Sequence, residues 1–247
     1  MILVTKGREV ENQEQRVALV TGGNRGIGLE IGRQLSRLGY RVVLTAREGR
    51  RADEAAQALE GWASGDALGV TMDVTDGESV RSGFEQAVKL YGTVDVLVNN
   101  AGIAIDGPEH RAPAPDLSRV HETLETNLFG AWRCAAEAVP LMRARGYGRI
   151  VNLSSTMASL ELTDSPSSPA YRVSKAGLNM LTRVLAAELH RDGILVNAAS
   201  PGYTRTDMSP EADRPVEHGA DTPIWLATLP DDGPTGGFFF EREPLAW

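Results

Sequence analysis

A short apolar strand, a glycine-rich turn and an amphipathic helix follow one another near the start of this chain, and few folds accept that sequence of elements. Val17-Ala-Leu-Val-Thr21 is a brief apolar run with the character of a strand buried on both faces. Thr21-Gly22-Gly23-Asn24-Arg25-Gly26-Ile27-Gly28 comes next, and Ile27, Ile31, Leu35 and Leu38 continue at helical spacing. A glycine cluster alone would make an ordinary turn. Between a strand end and a helix start it does more, because free N–H groups and the helix dipole favour an anion there. The missing Cβ atoms also let a phosphate approach closely. Gly22, Asn24, Arg25, Gly26, Ile27 and Gly28 are therefore expected to hold the phosphates of a cofactor.

The same alternation runs on. Strands are expected over 41–45, 67–72, 94–98, 149–155, 194–199 and 237–240. Helices are expected over 51–62, 76–91, 117–145, 171–190 and 216–228. Repeated βα units with right-handed crossovers imply a single α/β domain. We expect a Rossmann-like, doubly wound fold: about seven parallel strands, with helices on both faces. Residues 16–247 form that domain, and the polar stretch 1–15 reads as an extension outside it. Ligands of such sheets bind beyond the C-terminal strand ends. The glycine turn falls there, and so do Asp73-Val74 and Asn99-Asn100-Ala101-Gly102, the latter as braces of the sheet edge or as cofactor contacts.

The end of the second strand bears on which dinucleotide fits. An Asp or Glu at that point would accept from the ribose 2′-hydroxyl of NAD. Here the residue is Ala46, followed by Arg47, and Arg25 lies within reach in the glycine loop. Two guanidiniums and no carboxylate suit a 2′-phosphate, so the expected cofactor is NADP(H). The competing possibilities are that Arg47 is a solvated loop charge and that Glu48 turns inward.

Composition narrows the rest. The net charge of −8 argues against a partner that is nucleic acid or an anionic membrane. A single cysteine, Cys134, excludes an internal disulfide framework, and four scattered histidines have no zinc spacing. No apolar run is long enough for a membrane span, and we expect a cytoplasmic protein without a metal.

Tyr171 and Lys175 stand four residues apart on a helical run and so share a face. An ammonium beside a phenol favours the phenolate, which would lower the Tyr171 pKa and make it an acid/base near neutral pH. Ser155 closes the preceding strand. It is preferred to Ser154, whose side chain should point to the other side of that strand. Asn127 lies amid the apolar positions Leu124, Leu128 and Ala131 of the long helix, either as a structural polar link or as the holder of a catalytic water.

These residues together resemble the short-chain dehydrogenase/reductase family over nearly the whole chain. The matches are Thr21-Gly-x3-Gly26-Ile27-Gly28, Asp73-Val74, Asn99-Asn-Ala-Gly102, Asn127, Ser155, Tyr171-x3-Lys175 and Pro201-Gly202, in the family's order. The tail, with Thr204-Arg-Thr-Asp-Met208, Gly219-Ala-Asp-Thr-Pro223, Gly236-Gly-Phe-Phe239 and the final Trp247, looks like the carbonyl-reductase branch. The resemblance implies an NADPH-dependent reductase of aldehydes and ketones, acting on a small carbonyl or alcohol. Asn127, Ser155, Tyr171 and Lys175 would be catalytic. Pro201, Gly202 and Thr204, with Tyr171 and Lys175, would add cofactor contacts to those above. Lys175 would bind the nicotinamide ribose, and Asn127 would position a water linking it to solvent. An NAD-dependent alcohol dehydrogenase of the same family and a non-catalytic dinucleotide sensor are the alternatives. The stretch from Ser155 to Tyr171 lacks the large insertion of monomeric carbonyl reductases. A homodimer or homotetramer is expected, through helices at about 117–145 and 171–190. Residues 203–215 are expected to form a substrate lid.

Overall fold

The computed structural model describes residues 15–59, 66–107 and 109–247. The expected extension at 1–15 lies outside the described residues except for Gln15. Seven strands run parallel: β1 (Val17–Val20), β2 (Arg41–Ala46), β3 (Ala67–Thr71), β4 (Val96–Asn99), β5 (Gly148–Leu153), β6 (Ile194–Ala199) and β7 (Phe238–Phe240). An eighth, β8 (Glu243–Pro244), pairs antiparallel with β7, a closing strand the sequence had not suggested. The order is β3-β2-β1-β4-β5-β6-β7-β8, so the chain's progression across the sheet reverses at the β1–β4 boundary while both strands stay parallel. That reversal opens a crevice at the C-terminal strand ends.

The strand alternation sorts side chains into two cores. Val17 and Leu19 of β1 join Leu97, Ile150 and Val196 on one face, under α3 (Gly77–Tyr91), α5 (Ala131–Arg145) and α6 (Pro169–Leu189). Ala18 and Val20 join Val96, Val98 and Val151 on the other, under α1 (Gly26–Arg37), α2 (Gly49–Leu59) and α7 (Val216–Ala227). Both faces of every central strand are thus sealed, which explains their unbroken apolar runs.

The helix expected over 117–145 is not uniform. It consists of α4 (Leu117–Leu124), a π-helical segment at Glu125–Gly130, and α5. Asn127 sits in the π-helical turn, and such turns widen a helix locally and are frequent at functional sites. Gly177 of α6 lets Leu128 approach, since a Cβ there would lie 3.0 Å from Leu128 Cδ2. Outside this packing, Phe129, Trp132, Val173, Met180 and Val184 are exposed.

Candidate active site

A cleft of about 470 Å³ lies along the C-terminal strand ends. The glycine turn forms one wall. Gly22 and Gly26 hold φ of 60° and 53°, which disfavours a side chain. A Cβ on Gly28 would sit 2.4 Å from Asn100 Nδ2 and 2.6 Å from the Gly22 carbonyl. Asn24, Arg25, Ile27 and Gly28 line the same wall as Gly22 and Gly26, as the sequence suggested. Asn100 and Ala101 fasten the crevice from behind. Both backbone N–H groups donate to Thr21 Oγ1, at 3.0 and 2.9 Å, and Asn100 Nδ2 donates to the Thr21 and Gly22 carbonyls. Asn99 donates to Asn152 Oδ1 on the neighbouring strand. These bonds are those of braces, and Asn100, Ala101 and Gly102 also line the cleft.

At one end of the cleft, Arg47 is joined by Arg51 from the first turn of α2. Arg51 Nε meets Glu48 Oε2 at 3.0 Å, and Glu48, just before α2, also lines the cleft. Arg25 is not idle either. Its Nη1 lies 2.6 Å from Asp207 Oδ2, across the mouth from the glycine turn to the lid segment. Asp73 and Val74 line the floor, and Asp73 Oδ1 accepts from Thr75 N and Oγ1.

At the other end, Tyr171 hydrogen-bonds Ser155, whose Oγ also accepts from Met157 N at 3.2 Å. Lys175 is 4% exposed and its Nζ donates to the Leu153 carbonyl at 2.7 Å. Its ammonium lies 5.7 Å from the Tyr171 ring centre. Gly102 leaves room there, because a Cβ would approach Asn127 Oδ1 and Lys175 Nζ at 3.2 and 3.4 Å. The electrostatics correct one expectation. Burial pushes the Tyr171 phenol above its ordinary value and the Ser155 bond draws it partly back, so the net shift is upward rather than the expected lowering. Burial also lowers the Lys175 pKa to about 8. Burial thus favours the neutral form of both side chains.

Other placements change too. Asn127 Oδ1 accepts from Ile103 N at 2.8 Å, and both amide hydrogens are committed, to the Ile103 carbonyl and to Ser174 Oγ. Its side chain is a structural link between α6 and the loop after β4, with one of the two acceptor positions of Oδ1 taken by Ile103 N. Gly202 and Thr204 do not line the cleft, although Pro201 does. Gly202 faces Phe240, and Thr204 spends its hydroxyl on the Pro201 carbonyl at 2.9 Å. Thr206 reaches the cleft instead, with a Cγ2 that a Cβ on Gly26 would meet at 3.3 Å. Ser154, expected to point to the other side of the strand, is buried on the cleft wall with no partner for its hydroxyl, whereas Ser155 does not line the cleft and meets the site through Tyr171; β5 ends at Leu153, so strand alternation does not govern the two serines. Nothing in the sequence separated Thr206 from Thr204 or marked Arg51.

The family model described as short chain dehydrogenase matches residues 16–217. The chain belongs to the short-chain dehydrogenase family. Among curated relatives it is 37% identical to "Carbonyl reductase [NADPH] 1" of Homo sapiens, over 94% of this chain and 98% of that one. It is 36% identical to "Carbonyl reductase [NADPH] 3" of Mus musculus over the same shares. Among solved structures, a gluconate 5-dehydrogenase from Burkholderia cenocepacia, in complex with NADP and tartrate, matches with a TM-score of 0.82. The two are 28% identical, over 91% of this chain and 92% of that one. In this member of the family, among the described residues, no helix is long and apolar enough to cross a membrane.

Proposed function

We propose that this short-chain dehydrogenase is an NADPH-dependent carbonyl reductase that converts an aldehyde or ketone to an alcohol. The observation that carries the reading is one cleft with two chemistries. A phenol bonded to a serine stands at one end and Arg47 and Arg51 at the other, with the side-chain-free glycine turn between them. The residues suit a phosphorylated dinucleotide. Gly22, Gly26 and Gly28 leave space where a Cβ would clash, Thr206 offers a hydroxyl, and Arg47 and Arg51 supply forked donors for a 2′-phosphate. The names of the curated relatives agree.

When bound, the reduced nicotinamide supplies the hydride. The chain's own residues handle the oxygen. Ser155 would donate a hydrogen bond to the carbonyl oxygen and stabilise charge as it develops. Tyr171, kept protonated by burial, would give its proton to the resulting alkoxide. Lys175, a buried cation beneath the phenol, would hold the ribose. Asn127, whose Oδ1 lies beside Lys175 Nζ at Gly102, would position a water linking Lys175 to solvent. Arg205, Thr206, Asp207 and Met208 bring the lid segment to the cleft, where Met208 gives the substrate an apolar contact.

A panel of carbonyls followed by loss of NADPH absorbance tests the reading. We expect kcat/KM to favour NADPH over NADH by roughly tenfold or more, and Tyr171→Phe to lower turnover by about 10²–10⁴-fold while NADPH still binds. A preference for NADH would sink the arginine argument and favour the NAD-dependent alcohol dehydrogenase. Near-normal turnover of Tyr171→Phe would remove its role as proton donor. Binding of NADPH with no reduction anywhere on the panel would indicate a sensor.

We also infer a homodimer or homotetramer of a cytoplasmic enzyme. Phe129, Trp132, Val173, Met180 and Val184 are an exposed apolar set on the two helices expected to pair. The alignment with the human relative spans 282 positions against 247 residues here, so that relative carries residues this chain lacks. Light scattering should read two or four chains, and a monomer would overturn the inference.

A further inference from the structure

We infer that Asp106, on the loop that follows β4, is a positioning residue that caps the catalytic helix α6 from outside and fixes where Tyr171 stands. The start of α6 needs such a group. Its first helical residue is Pro169, which has no N–H, and the preceding Ser168 has φ of 52° with a side chain that makes no cap. Ser168 Oγ turns away and donates to the Asp106 backbone carbonyl at 3.1 Å. The Asp106 carboxylate fills the gap. Oδ2 accepts from Ala170 N at 2.7 Å, and Tyr171 N points at both oxygens, at 3.3 and 3.4 Å. Asp106 is 7% exposed, so these bonds are made with little competition from water. Its negative charge also lies at the positive end of a 21-residue helix.

The loop that brings Asp106 there is the one that lines the cleft. Ala101, Gly102 and Ile103 face the cofactor end, and the Asn127 amide grips Ile103 on both its N–H and its carbonyl. Arg119 Nη1 holds the Ile105 carbonyl at 2.8 Å. Asp106 then passes that fixed position to the backbone of Tyr171 itself. The cap thus registers the proton donor against the cofactor wall, across 65 residues of sequence. Reacting groups tolerate little misplacement, so a cap at this point acts on turnover rather than on affinity.

The kinetic part rests on the reductase reading, and the test separates the two. In Asp106→Ala we expect kcat to fall about tenfold or more, while the fluorescence-measured NADPH Kd and the carbonyl KM each move less than about twofold. Asp106→Asn keeps one carbonyl acceptor and should recover most of the lost kcat. Hydrogen exchange at Ala170 and Tyr171, read without substrate, should be fastest in Asp106→Ala and intermediate in Asp106→Asn. Unchanged kcat or unchanged exchange in Asp106→Ala overturns the proposal, as does an Asn variant no better than Ala. Loss of kcat together with NADPH binding overturns it too, because that reports general damage. If Asp106→Ala does not fold, Asp106→Asn against wild type carries the same comparison. A wild-type chain that reduces no carbonyl defeats the reductase reading alone, and the exchange rates still decide the cap.

Discussion

One strand, β5, meets a buried cation at each end, and the two are treated in opposite ways. At its start Arg149 is 1% exposed and almost every donor is used. Nε donates to the Leu229 carbonyl at 2.9 Å, Nη1 to Gly148 and Gly193, and Nη2 to Asp231 at 2.7 Å, while Tyr147 lies against the guanidinium at 4.1 Å. At its end Lys175, nearly as buried, has the Leu153 carbonyl as its one hydrogen-bond acceptor among the described residues, for three donors. The difference separates structure from chemistry. A buried charge with a full set of partners closes the bottom of a sheet. One left short of partners has its charged form disfavoured, and faces a cleft in which something else can complete the set. The same contrast explains why the N-terminal strand ends, despite a cavity beside Arg16, Tyr147 and Arg149, do not read as a second active site.

Breaking the Arg149 end should give the larger effect. Arg149→Met takes the guanidinium donors from the Leu229, Gly148 and Gly193 carbonyls, the last of which keeps Gly148 N, and Asp231, 86% exposed, loses only a solvated pair. We expect a loss of about 3 kcal/mol, or roughly 6–12 °C in Tm for a chain of this size. Calorimetry would measure it, and kcat/KM per folded molecule should stay as it was. A variant with unchanged Tm but impaired turnover would reverse the contrast and give Arg149 a part in function.

Much of this arrangement was open to reading because it is local. The glycine turn, the strand runs and the Tyr171–Lys175 spacing each depend on neighbours within a few residues, and the structure has them where the sequence put them. What was hidden depends on distant partners. The Arg25–Asp207 pair joins residues 182 positions apart, and the Asp106 cap joins 64. Thr204 and Thr206 have the same chemistry in the sequence, and only packing shows that the first is buried against Pro201 and the second meets the cleft. The direction of the Tyr171 shift was missed for a similar reason. Spacing shows that a cation is near, but burial, the largest influence on the phenol and one that raises its pKa, is a property of the folded surroundings.

The Lys175 end offers a finer test, because its incompleteness is a matter of protons. In the folded chain its pKa is about 8; unfolded, it would be near the usual ~10.4. Between those values the unfolded chain binds more protons than the folded one, so the Lys175 contribution to stability must rise as pH increases from about 8 to about 10.4. Below about pH 8 both states are protonated and the burial penalty is present in full. Tyr40, Tyr91, Tyr171 and Cys134 are all shifted upward and act in the opposite sense at high pH, so the raw stability curve mixes these effects. Subtracting the curve of Lys175→Met isolates the lysine. We expect the difference, wild type minus variant, to climb by roughly 2 kcal/mol over that window in urea unfolding series. A flat difference would mean that Lys175 is as well satisfied as Arg149. The contrast between the two ends of β5 would then fail at the end where catalysis is placed.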